Sequence, residues 1–260
     1  MRLKISCNLK FEISTPTPFI LMLRPRSGNQ QWVEQQGYEI KPGTPVFVFT
    51  DDYGNLCQRL IAQSGLLAIS TSSVVVTSDY SDEAYGAAFV EIQNLPDSVL
   101  SYLLPSRYCE SDCFNELAVH ITQGQLLGYN QVAAITNWLR STISYIPGSN
   151  NEPLSAIQVN NNGYGVCRDL AHLGIALCRS LSIPARIVVG YLHNLQPMDM
   201  HAWFEAYIGN RWYTFDATQL GSPGGYVILG LGKDAADVAV FNQFGPSVFP
   251  IEQQVRVEQI

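Results

Sequence analysis

Charge is scarce in this chain of 260 residues: Asp, Glu, Lys and Arg make up 14% of it, and the acidic side prevails to give a formal net charge of −7. With only 15 Lys and Arg there is no basic run to meet a nucleic-acid backbone or an anionic lipid surface, so neither is an expected partner. Long apolar runs are missing too. Phe19-Ile20-Leu21-Met22-Leu23 falls far short of the roughly 20 residues that a membrane-spanning helix needs. The opening Met1-Arg2-Leu3-Lys4-Ile5-Ser6-Cys7-Asn8-Leu9-Lys10 alternates like a strand and lacks a continuous apolar signal region, which makes the cytoplasm the expected compartment. No repeat or low-complexity tract interrupts the chain. What remains is 47% hydrophobic, enough to fold and to bury substantial cores.

Metal-ligating residues are equally sparse. There are four histidines and six cysteines, at 7, 57, 109, 113, 167 and 178. Cys109 and Cys113 are spaced like half of a zinc site, but no second cysteine or histidine pair completes four ligands. Asp51-Asp52-Tyr53-Gly54-Asn55 lacks the ligand alternation and closing Glu of a calcium loop and reads as a turn. No metal and no other cofactor is implied. Without a secretory signal the six thiols are expected to be free. Cys178 lies eleven residues beyond Cys167 on one predicted helix, about 16 Å away at 1.5 Å per residue and too far for a disulfide.

The order of patterns gives an α+β chain. Leu3–Ile13, Phe19–Arg24, Val46–Thr50, Leu56–Ala62, Leu66–Ser70 and Val74–Thr77 are short β-prone runs punctuated by Pro, Gly, Asn and Asp, as in a small antiparallel β-sandwich. From Gln93 to Arg107 the chain turns irregular, and we place a domain boundary there, with an N-terminal β unit at 1–98 and a second domain at 99–260. Phe114, Leu117, Ala118 and Ile121 then repeat with helical spacing, with Ser111 or Asp112 available as N-cap. Val132, Ile135, Trp138, Leu139 and Thr142 mark a second helix ending by Pro147-Gly148. A polar loop over 149–165 leads to a third helix, and β-prone segments fill most of the rest, so helices precede strands as in a papain-like half.

The third helix carries the chemistry. Cys167, Leu170, Ala171, Gly174, Leu177, Cys178 and Leu181 recur at i, i+3, i+4 and i+7 and end before Ile183-Pro184, while Gly163-Tyr164-Gly165-Val166 forms the turn that opens the helix. A cysteine at such a start feels the partial positive charge of unpaired backbone N–H groups, which favours the thiolate as a nucleophile. Downstream, the segments 202–208 and 211–216 flank Gly209-Asn210, a two-residue hairpin signal for a type I′ or II′ turn. Pairing Ile208 with Arg211 makes His201 and Asp216 diagonal neighbours on one face, about 7–8 Å apart at the backbone and within side-chain reach.

Cys167, His201 and Asp216 are therefore the predicted nucleophile, base and orienter, an arrangement that attacks a carbonyl carbon and passes through a thioester. Water would release a hydrolysed product, and an amine would carry the acyl group away. Other residues read as structural. His172 lies about 140° around the helix from Cys167 and is expected to be packed, while His120 and His193 are expected at the surface. Asp169 and Arg168 read as architectural, and Trp203 and Glu205 share the face of His201 without a chemical role. The backbone N–H of Cys167 suits one half of an oxyanion hole. For the other half, Asn160, Asn161, Asn162 and Tyr164 are available, although asparagine beside glycine is ordinary loop chemistry. The segment 193–199 is placed to rim the cleft.

Gly165-Val166-Cys167-Arg168-Asp169-Leu170-Ala171-His172, Gly190-Tyr191, Met200-His201-Ala202-Trp203-Phe204-Glu205 and Phe215-Asp216-Ala217-Thr218 resemble the core motifs of the bacterial transglutaminase-like cysteine peptidases. Segments 103–109 and 234–238 resemble further recurrent stretches, so the likeness covers nearly the whole chain. It departs at Ala217, where members more often have Pro, and at Lys233, where they more often have Arg; neither touches the three residues. The resemblance implies an N-terminal β region, a catalytic domain with the cysteine helix packed on an antiparallel sheet, and Cys167, His201 and Asp216 as the catalytic set. It favours a cysteine peptidase or other amide hydrolase acting on a peptide or protein. A transglutaminase-type acyltransferase or glutamine deamidase would use the same residues, and a non-catalytic protein-binding module would merely retain the fold. The oligomeric state is not legible in these patterns.

Overall fold

The computed structural model describes residues 1–221 and 223–260. Six strands come first: β1 (Arg2–Ile13), β2 (Thr17–Leu21), β3 (Gln31–Lys41), β4 (Phe47–Thr50), β5 (Leu56–Ala62) and β6 (Gly65–Thr77). Short helical turns lead through α1 (Asp97–Leu100) to α2 (Asn115–Ile121), α3 (Tyr129–Thr142), β7 (Ser144–Tyr145), α4 (Ala156–Asn162), β8 (Tyr164–Gly165) and α5 (Cys167–Ser180). The chain closes with β9 (Ala185–Leu192), β10 (His201–Ile208), β11 (Arg211–Phe215), β12 (Tyr226–Gly232), β13 (Phe241–Gln243) and β14 (Glu252–Gln259). No helix among the described residues is long and apolar enough to cross a membrane.

The strands form three four-stranded antiparallel sheets, ordered β14-β1-β6-β3, β13-β2-β5-β4 and β11-β10-β9-β12, and one short parallel pair, β7-β8. In β1, alternate residues from Leu3 to Ile13 are buried. This period of two lays them against Phe19, Leu21, Leu60 and Ala62 of the second sheet in one core. Each such aliphatic side chain contributes about 1.5–3 kcal/mol on full burial. Tyr191, Val227 and Leu229 of the third sheet belong to the same core, which ties the two halves of the molecule together.

Several details depart from the sequence reading. β3 was not anticipated, because seven of its eleven residues are exposed and polar residues dominate it, leaving no apolar alternation to read. The runs 66–70 and 74–77 are parts of a single strand, β6, whose Ser72 and Ser73 pair with Ser6 and Ile5. The loop expected over 149–165 contains α4 and β8; Ser155 and Gln158 form a capping box at the start of α4, an S-x-x-Q signal present in the sequence. Phe114, rather than Ser111 or Asp112, is the N-cap of α2. The last two strands return to the first two sheets, β14 pairing with β1 and β13 with β2, so spatial neighbours there are more than two hundred residues apart in the chain.

α5 lies against the third sheet. Every residue from Asp169 to Arg179 is buried, so the helix is enclosed on all sides and not on one face only. The closest approach is at Gly174, where an added Cβ would come within 2.7 Å of the Phe204 ring on β10. Arg179, buried near the helix end, donates to the carbonyls of Ala185, Leu104 and Lys233 and to the Ser106 hydroxyl. The segments around 104–106 and 233 are thus clamped to the back of α5 by one guanidinium.

β9 supports the site from within the sheet, between β10 and β12. Gly190 faces His201 on one side and Ile228 on the other, beside a bulge between Ile228 and Gly230 in β12. A Cβ at Gly190 would fall 1.9 Å from the Val227 carbonyl oxygen. Gly190→Ala is therefore expected to destabilise the fold by roughly 3 kcal/mol, measurable as a lowered urea midpoint.

Candidate active site

The turn into α5 is built by one carboxylate. Val166 is the extended N-cap, with ψ 175, and its apolar side chain offers no capping oxygen. Asp169 reaches back instead. Its buried carboxylate accepts from Val166 N at 3.1 Å, Leu154 N at 3.1 Å, Asn150 Nδ2 at 3.1 Å and Arg168 Nε at 3.0 Å. Arg168 in turn donates to the carbonyls of Asn151 and Glu152. The polar segment before α4 is thereby pinned to the helix start that presents Cys167. Because Asp169→Ala would leave buried donors unmet at about 1–3 kcal/mol each, it is expected to cost about 3 kcal/mol in chemical denaturation and to slow every reaction of Cys167.

Cys167 is half-buried, whereas Cys7, Cys57, Cys109 and Cys178 are buried and Cys113 is exposed. Burial pushes the Cys7 and Cys57 thiols up to about 11, and those of Cys109 and Cys178 higher still. All six are free.

His201 opens β10 and Asp216 follows β11. The hairpin between these strands has Ile208 opposite Arg211 and Phe204 opposite Phe215, the register read from the sequence, and Gly209 and Asn210 both have positive φ as a type I′ turn requires. His201 Nε2 and Asp216 Oδ2 meet at 2.6 Å. The other oxygen of Asp216 accepts from the Thr218 amide at 2.9 Å and the Thr218 hydroxyl at 2.7 Å, and the Tyr226 hydroxyl donates to Oδ2 at 3.0 Å. Arg140 holds the backbone at this corner by donating to the carbonyls of Asp216 and Gln219. Trp203 stacks on the imidazole with ring centroids 6.0 Å apart.

Electrostatics set both protonation states. Burial works against a charged imidazole at His201, but the Asp216 carboxylate, with a further contribution from Cys167, outweighs it and pushes the pKa up to about 10. Burial likewise opposes ionisation of Asp216, and the charge and hydrogen bond of His201 together with Thr218 hold its carboxyl below the usual range. Nδ1 of His201 is shielded from solvent and has no hydrogen-bond partner of normal length among the described residues, yet Cys167 acts on the same ring. One imidazole nitrogen is thus committed to the carboxylate while the other is open toward the thiol.

The structure accordingly brings Cys167, His201 and Asp216 together. The remaining histidines separate from them: His172 bonds the Leu154 carbonyl at 2.8 Å through Nδ1, accepts from Ala235 N at 3.2 Å through Nε2 and stacks on Tyr108. His120 is exposed and His193 half-buried. Glu205 is buried against Arg186 at 2.6 Å. No group of His, Cys, Asp and Glu among the described residues forms a metal cluster. A cavity of ≈ 850 Å³ is lined by Trp203 and Tyr226, which touch the pair, whereas Cys167, His201 and Asp216 do not line it. Sequence reading missed Tyr226 and Arg140. Tyr226 and Arg140 reach Asp216 only through tertiary contact, and neither belongs to a local pattern.

Residues 115–217 match the family model of the transglutaminase-like superfamily. The uncharacterised protein ML0607 of Mycobacterium leprae is 30% identical over 235 residues, covering 84% of this chain and 82% of that one. The chain belongs to the transglutaminase-like superfamily. A crystal structure of a candidate cysteine protease from Cytophaga hutchinsonii superposes with a TM-score of 0.91 at 35% identity, covering 99% of this chain and 90% of that one. The periplasmic domain of TgpA from Pseudomonas aeruginosa aligns more distantly, at 18% identity and a TM-score of 0.42 over 82% and 87% of the two chains. The stretch matched by the superfamily model runs from α2 to the residue after Asp216, and so takes in all three predicted residues and the elements that carry them.

Proposed function

We propose that this protein is a thiol-dependent amide hydrolase, a cysteine peptidase acting on peptide or protein substrates through Cys167, His201 and Asp216. The observation that carries the reading is the His201–Asp216 contact of 2.6 Å on one ring nitrogen, with Cys167 acting on the same ring and Nδ1 left open. Such a pair can accept the thiol proton, hold it as imidazolium and give it to a leaving amine. The likeness to the Cytophaga hutchinsonii protein favours the same chemistry.

In the proposed cycle the proton of Cys167 is already held on His201 as imidazolium, and the Sγ thiolate attacks the carbonyl carbon, moving the C=O π pair onto oxygen. Collapse re-forms the carbonyl, breaks the C–N bond and expels the amine with the proton from His201, leaving a thioester. His201, now neutral, takes a proton from water. The hydroxide oxygen bonds to the acyl carbon, Sγ leaves as the thiolate, and the acid product departs. Asp216 stays ionised throughout and supports the charged imidazole.

The same proposal divides the chain into an N-terminal β-sandwich over 1–98 and a catalytic domain over 99–260, with β13 and β14 of the tail inserted in the sheets of the former. Six free thiols suit a reducing cytoplasm. Incubating the pure protein with a diverse peptide library, with and without a primary amine, tests the reaction class by mass spectrometry. Cleaved peptides bearing the mass of water are expected in both arms. Predominant amine incorporation, or deamidated glutamine without cleavage, would replace hydrolysis by acyl transfer or deamidation.

A further inference from the structure

An oxyanion formed beside Cys167 needs more than one donor. The Cys167 amide lies in the first turn of α5, where backbone N–H groups have no helical partner, and it supplies one. The candidates read from the sequence do not match the second position well. Asn160 to Asn162 form the exposed end of α4, which the left-handed Gly163 terminates, and Tyr164 is exposed.

β7 offers a different group. Its two residues pair in parallel with β8, Ser144 opposite Tyr164 and Tyr145 opposite Gly165, two residues before Cys167. The bridge is fixed by Ser144 N donating to the Gly163 carbonyl at 2.8 Å and Ile146 N donating to the Gly165 carbonyl at 3.0 Å. Adjacent strands lie about 4.8 Å apart, so the backbone of Tyr145 is held one strand spacing from the turn that presents the thiol. The side chain is half-buried against the main core. Its hydroxyl makes no hydrogen bond among the described residues, although it lies within electrostatic reach of Cys167, Asp216 and Asp199. An unengaged donor on a rigid two-strand bridge, close to both the nucleophile and the orienting acid, has the placement of an oxyanion ligand.

We propose that the Tyr145 hydroxyl is the second oxyanion donor, acting with the Cys167 amide on the substrate carbonyl oxygen. As Sγ bonds to carbon and the π pair moves to oxygen, the phenol O–H donates a hydrogen bond to the developing charge and keeps its proton. Burial, reinforced by the negative charge of Cys167 and Asp216, pushes the phenol up to about 12, so it remains a donor across the working pH range. This inference rests on the proposed thiol chemistry of Cys167.

Two probes separate it from that chemistry. A peptide aldehyde forms a tetrahedral hemithioacetal with an oxyanion at the cysteine, whereas iodoacetamide alkylates sulfur with no oxyanion. In Tyr145→Phe, kcat and aldehyde affinity are expected to fall about 10²–10³-fold, with KM, thermal midpoint and the rate of Cys167 alkylation unchanged. Unchanged aldehyde affinity and kcat in Tyr145→Phe would overturn the inference while leaving the nucleophile in place. A parallel loss of alkylation and thermal stability would overturn it in favour of a packing role. Should the wild-type protein neither bind the aldehyde at Cys167 nor lose amidase activity in Cys167→Ala, the thiol reading itself fails.

Discussion

Cys167→Ala is expected to abolish turnover while leaving the thermal midpoint nearly unchanged. The side chain is half-buried at the start of α5, and the turn is held by Asp169 and not by sulfur, so one lost atom disturbs little packing. All nucleophilic chemistry, by contrast, would pass through that sulfur. Iodoacetamide at neutral pH should modify Cys167 fastest of the six cysteines, because four others are buried with their thiols pushed up and Cys113, though exposed, has no His–Asp pair to serve it. Peptide mapping after partial alkylation distinguishes the two accessible sites. Full activity in Cys167→Ala, or faster labelling of Cys113, would contradict the assignment.

Asp216→Asn should keep the geometry of the pair and remove its charge. In the serine-protease template the matching change lowers kcat about 10⁴-fold; a thiol forms its nucleophile with less help from the base, so a loss of roughly 10²–10³-fold is expected here. The pH profile supplies a sharper signature. With Asp216 ionised, His201 stays protonated up to about 10, and the alkaline limb of kcat/KM should lie there. Without the carboxylate, burial dominates and the limb should move down to near or below the ordinary imidazole value of about 6.5. Stability carries the same sign. A raised histidine pKa stabilises the fold fully below about 6.5, and that contribution fades as pH rises through about 10. The depressed carboxyl of Asp216 stabilises above the ordinary carboxylate range, and its contribution is lost on acidification. An unmoved alkaline limb in Asp216→Asn would show that His201 is not the titrating group.

Local signals carried much of this arrangement. The Gly209-Asn210 turn fixed the β10–β11 register because a two-residue loop permits one pairing, and that pairing alone brings His201 and Asp216 together. Helical spacing marked α5 and placed Cys167 at its start. Other features had no local signal. β3 is too polar to show alternation, and β13 and β14 find their partners across the whole chain, which no short window reports. Tyr145 was hidden for a related reason: a two-residue strand has no periodicity, and only its pairing with β8 brings its backbone beside the turn that presents Cys167. Asp169 reads as architectural in the sequence, but what it holds, the 150–154 segment against the helix start, needs the fold to be seen.

The central claim is that a substrate acyl group becomes bonded to Cys167. Rapid mixing with an activated ester of a peptide, followed by acid quench and peptide mapping by mass spectrometry, reads that bond directly. The expected result is a transient acyl mass on the peptide containing Cys167, with one equivalent of leaving group released in a burst and no adduct in Cys167→Ala. Substrate turnover with no acyl mass on any cysteine, or with the acyl group on Cys113, would contradict the account.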